Sequence, residues 1–158
     1  MADRTLPAGF IEAGQRYDKS LKALGLKADG LFWAWDKTLG DFVLVLVTRH
    51  FDHAGPLELF RLLTRAYNLS ATPTEISPFV VRVHSPDQEI IRNLLTIDAH
   101  DSQGKRVEYM TARGEIADIE YVNHWVYYWP NSKSKKPNPV ARSREWHRFK
   151  DNIEKLAA

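Results

Sequence analysis

The chain has 158 residues, 44% apolar and 27% charged, an ordinary globular composition that excludes wholesale disorder. It has no cysteine, which removes disulfides, thiolate metal ligands and cysteine nucleophiles together. The net charge of +2 is unevenly placed: residues 131–158 hold 8 Lys and Arg against 3 acids, whereas residues 1–130 hold 14 against 17.

Helical spacing of Phe10, Ala13, Gly14, Tyr17, Leu21 and Leu24 predicts a first helix over residues 10–24, with Gly25 as its C′ glycine. The stretch GLFWAWDKTLGDFVLVLVTR then reads as a hairpin with strands Leu31–Asp36 and Phe42–Arg49, its turn eased by Gly40. Its second strand is apolar on both faces, which predicts a central, covered position. A second helix follows in GPLELFRLLTRAYNLS, with Pro56 in its first turn and Leu59, Leu62, Leu63, Ala66 and Tyr67 on one face. Pro73 and Pro78 bracket an extended linker before a strand over Phe79–Val83. Ser85, Pro86 and Gln88 form a capping box that predicts another helix, with Ile90, Ile91, Leu94 and Leu95 inward.

From Thr96 the pattern reads as a meander: a short strand to about His100, the turn DSQG, and a strand over Arg106–Thr111. The last strand is expected over Ile119–Trp129, ended by Pro130 because proline cannot donate to a ladder. A final helix from about Ser143 places Trp146, Phe149, Ile153 and Leu156 in one arc, opposite Arg144, Arg148 and Lys155.

The order α-β-β-α-β-α-β-β-β-α predicts an α+β fold, with a mainly antiparallel sheet of five to six strands packed by helices. The expected organisation is a domain over residues 1–130, a basic linker over 131–142, and a docked C-terminal helix over 143–158. The longest apolar run, Phe42–Val47, is far short of a membrane span, and the N-terminal stretch has no apolar leader core. A soluble cytoplasmic protein without a membrane partner is the expectation.

Function is read from three patterns. The first is charge: Lys133, Lys135, Lys136, Arg142, Arg144 and Arg148 concentrate cations, as capture of a polyanion requires. The second is the aromatic strand, where alternation assigns Tyr121, Asn123, Trp125, Tyr127 and Trp129 to one face. Tyr127 and Trp129, next to the basic segment, are candidate stacking platforms for bases, although such a face equally suits a core. The third is a His/Asp set, His50 and His53 in HFDH with Asp98 and His100 in DAHD, suitable in type for a divalent metal that activates water. Its spacing matches no named metal signature.

Motifs of the forms GxxxxGK[ST], GxGxxG and GxSxG are absent from the sequence. The expectation is therefore a non-catalytic, cofactor-free module that binds an anionic partner, nucleic acid above others. A metal-dependent hydrolase is the alternative. A protein-interaction or homodimerisation domain is a third reading, suggested by five tryptophans.

Overall fold

A computed structural model describes residues 4–89, 91, 113–116, 119–122, 125–130 and 138–157. Helix α1 (Phe10–Leu24) ends where expected. Gly25 takes φ 99°, its N–H donates to the Lys22 carbonyl, and the Leu26 N–H reaches back to Leu21. This is a Schellman close, and only glycine takes that conformation without strain.

Strands β1 (Gly30–Asp36) and β2 (Asp41–Val47) form the predicted hairpin, paired from Gly30↔Val47 to Asp36↔Asp41. Asp36 Oδ1 accepts the N–H groups of Thr38 and Leu39 in the turn, and Gly40 adopts φ 67°. The second strand ends at Val47 rather than Arg49, and a short helix α2 (His50–Ala54) follows. It leads through Gly55 into α3 (Pro56–Asn68), which buries Leu59, Leu62, Leu63 and Ala66.

The segment after Pro73 is extended, as predicted, but Pro78–Val80 forms a 3-10 turn, and β3 (Val81–His84) begins two residues later than expected. The capping box is realised: Gln88 Oε1 accepts the Ser85 N–H, and Ser85 Oγ accepts that of Asp87. The meander expected over residues 96–111, and the helix beyond Ile91, lie outside the described residues.

Strand β3 runs parallel to β2, so the sheet is mixed rather than mainly antiparallel. The reason is the connection. A parallel neighbour needs a crossover, and α3 supplies it between β2 and β3. Strands β4 (Arg113–Ile116), β5 (Ile119–Val122) and β6 (Val126–Tyr128) complete a path β3-β2-β1-β5-β4, with β6 also on β1. Strand β2 is an interior strand, between β3 and β1, and both of its faces are covered, as its apolar sequence requires.

One face of the sheet presents Leu31, Trp33, Leu44 and Leu46 to helices α1 and α3. The same core receives Trp146, Phe149 and Ile153 from the last helix, α4 (Pro139–Leu156). The other face gathers Phe32, Ala34, Val43, Val45, Val47, Ile119 and Tyr121, with Ile91. Among the described residues no helix is long and apolar enough to cross a membrane.

Two expectations fail here. The strand over Ile119–Trp129 is broken into β5 and β6, and β6 carries an extra residue against β1, between Leu31↔Tyr128 and Phe32↔Val126. The interruption undoes the period of two, so the aromatic ladder does not share a face. Tyr121 and Trp129 pack on one side with Phe32, whereas Trp125 and Tyr127 join the helical side. The last helix also starts earlier, at Pro139 rather than Ser143. Asn138 accepts the Ala141 N–H at 2.7 Å as N-cap, and Pro139 fills the first helical position.

Tyr127 ties this arrangement together. Its hydroxyl donates to the Ile11 carbonyl at 2.7 Å and accepts the Trp33 indole N–H at 2.9 Å. Burial pushes its phenol up to about 12, with the Trp33 bond opposing and the charges of Glu12 and Asp18 adding to the rise. A Cβ on Gly14 would fall onto that hydroxyl. In an ordinary helix interior Gly→Ala stabilises by about 1 kcal/mol. Gly14→Ala is expected to reverse the sign and cost about 1–3 kcal/mol, since the phenol cannot withdraw without breaking its bonds. Urea unfolding of the variant beside the parent checks this; an unchanged or raised midpoint would contradict it.

Candidate functional site

Helix α4 lies against the end of α1 and shapes an open groove of about 450 Å³. Lys22, Gly25 and Lys27 line one side, and Ala141, Arg144, Glu145 and Arg148 line the other. The amphipathic pattern of α4 explains its pose. With Trp146, Phe149 and Ile153 inserted in the core, Arg144 and Arg148 are left exposed on the outer flank. Asn152 Nδ2 donates to the Leu24 carbonyl at 2.8 Å, fixing the helix to the α1 terminus. Gly25 also keeps the approach open: a Cβ there would stand 3.3 Å from the Arg148 Cδ.

Four cations thus meet one carboxylate. Lys22 is paired with Asp18 at 2.8 Å. Arg144 and Arg148 form no ion pair among the described residues. Glu145 is held from beneath instead, its Oε1 accepting the Lys27 backbone N–H at 3.2 Å and lying 3.4 Å from His50 Nε2. Burial pushes the Glu145 carboxyl up. The hydrogen bonds from His50 and the Lys27 N–H, with the charges of those two residues, outweigh it and leave the carboxyl below its usual range. His50 is buried on α2, its ring tilted against Trp146 at 5.4 Å, and its Nδ1 has no hydrogen-bond partner among the described residues.

The structure brings together only part of the predicted set. Arg144 and Arg148 share the groove. Arg142 lies elsewhere on α4, its Nε buried and its charge felt by His53. Lys133, Lys135 and Lys136 lie outside the described residues. Tyr127 and Trp129 sit on opposite faces of the sheet, both half-buried, so they do not form one platform. Trp33, Trp125 and Trp146 are interior, and Trp35 is half-buried against Phe42 with Arg4 over its ring.

Asp98 and His100 are outside the described residues. His50 and His53 stand with ring centroids 6.2 Å apart. Among the described residues no three His, Cys, Asp or Glu side chains gather closely enough for a metal ion. Asp52, between the two histidines, accepts a hydrogen bond from the Ser85 hydroxyl.

Sequence reasoning missed Lys22, Lys27 and Glu145. Lys22 carries a weak signal as the basic residue in the last turn before a C′ glycine, but nothing in the sequence joins it to residues 144–148. No family model, curated protein or solved structure matches the chain.

Because the Glu145 carboxyl is depressed in the folded chain, its stabilisation is present above the unfolded glutamate value, about 4.3, and is lost as pH falls through the folded value. The stability of the parent is therefore expected to fall more steeply below about pH 4.3 than that of Glu145→Gln, the two curves converging in acid. Urea unfolding across a pH series reads this out; parallel curves would show that Glu145 is not held as described.

Proposed function

We propose that this chain is a non-catalytic binding module that captures nucleic acid by charge, through the groove between α1 and α4 and the basic segment that leads into α4. The supporting observation is the pair Arg144 and Arg148, exposed one turn apart and without an ion pair among the described residues. Like charges at this spacing destabilise a helix by roughly 0.2–0.5 kcal/mol, so stability alone does not favour the pair. With Lys22 and Lys27 opposite, they create a short track of positive charge suited to successive phosphates. Lys133, Lys135 and Lys136 would extend that track along the chain. Charge of this kind positions a backbone without reading bases, so binding is expected to be largely sequence-independent.

Tyr127 has only a secondary place in this reading, because its hydroxyl is committed to Ile11 and Trp33. Trp129, half-buried and next in sequence to the basic segment, is the aromatic this reading offers for stacking.

Fluorescence anisotropy with a labelled single-stranded oligonucleotide, titrated over a range of salt, tests the proposal. Affinity should fall linearly on a log–log plot. Arg144→Gln/Arg148→Gln should lower the slope by about 0.7 per arginine, and neutralising Lys133, Lys135 and Lys136 should lower it further. Absence of binding at low salt, or a slope unchanged in both variants, would overturn it.

A further inference from the structure

The carboxylate in the groove is placed unlike a charge-balancing residue. Glu145 stands three residues before Arg148, a spacing at which acid and base ordinarily pair on a helix, yet it pairs with none of the four surrounding cations. Both of its protein contacts go to one oxygen, Oε1, which takes the Lys27 N–H and faces His50 Nε2. Oε2 has no partner among the described residues, and the side chain is about one-third exposed to the groove. A deliberately oriented acceptor among donors fits a ligand that is anionic and also offers a hydroxyl donor close to its phosphate.

We infer that Glu145 Oε2 accepts the ribose 2′-hydroxyl of an RNA strand whose phosphates lie on Arg144, Arg148, Lys22 and Lys27. The 2′-hydroxyl is the group that distinguishes RNA from DNA at a given site, and a carboxylate is a strong acceptor for it. The groove favours a strand over a free nucleotide because Lys22, Lys27, Arg144 and Arg148 all line an exposed surface rather than a closed cavity. Against DNA the same carboxylate gains no hydrogen bond and repels the phosphates. This assignment rests on the reading of the groove as a nucleic-acid surface.

The test compares labelled oligouridylate, its deoxyuridylate counterpart and a 2′-fluoro analogue, which keeps RNA-like sugar geometry but has no 2′ donor. The parent is expected to bind the ribo-strand about tenfold more tightly than either other strand, the scale of one charge-assisted hydrogen bond. In Glu145→Ala, folded by its thermal melt and without any acceptor at this position, the three affinities should draw together, the deoxy-strand gaining from the lost repulsion. Equal, salt-dependent binding of all three by the parent would overturn the hydroxyl assignment while leaving charge capture in place. A ribo-preference that persists in Glu145→Ala would overturn it too, as would a 2′-fluoro strand that binds like RNA. Uridine monophosphate displacing the strand at equal molar concentration would overturn the choice of a polymer. Failure of every strand to bind at low salt would overturn the function on which the inference rests.

Discussion

Strand β1 must satisfy three strands and two apolar faces at once. Strand β2 covers one of its edges from end to end, while β5 takes the other edge at Trp35 and Asp36, and β6 takes it at Leu31 and Phe32. Along that edge Trp35 faces Glu120 but Phe32 faces Val126, three residues beyond the partner an unshifted register would give it. Strands β5 and β6 are therefore out of register with each other on β1, and their aromatics are delivered to both sides of the sheet. Phe32, Tyr121 and Trp129 close one face. Trp33 and Tyr127, hydrogen-bonded to each other and to the first turn of α1, close the other.

That closure places the groove. Tyr127 ties α1 across β1, and the end of α1 becomes a fixed seat for α4 through Asn152 and the Leu24 carbonyl. Trp146 and Phe149 then drive α4 into the same core, and burial of side chains this large outweighs any preference of its polar flank. The flank is consequently presented as packing dictates. Glu145 is turned down onto Lys27 and His50, and the two arginines remain outside. The electrostatics of the groove follow from apolar packing rather than from pairing among the charges themselves.

His50 illustrates how the core and the groove communicate. It is a polar ring at 3% exposure, tilted against Trp146, with one nitrogen facing Glu145. This histidine, named in the alternative metal reading, lies against the carboxylate of Glu145. Its neighbour His53 is held below its usual range, first by burial and then by the charges of His50, Arg142 and His147.

The sequence by itself determined what depends on short-range chemistry: α1 and its glycine close, the hairpin and its turn, the capping box at Ser85, and the inward Trp146, Phe149 and Ile153 of α4, whereas Leu156, expected in the same arc, is exposed at the end of the helix. In each, the deciding partners lie within a few residues, so spacing and cap chemistry suffice to read them. It also marked Arg144 and Arg148 as exposed cations, because their place opposite Trp146 and Phe149 is a property of one helix. Tertiary structure alone decided the parallel pairing of β3, the break between β5 and β6, and the union of Lys22, Lys27 and Glu145. Those depend on which segments share an edge of β1 and which helix ends meet, and Lys27 and Glu145 are 118 residues apart. No local pattern encodes such a meeting, because the burial that drives it is non-directional and is resolved only when the whole core packs.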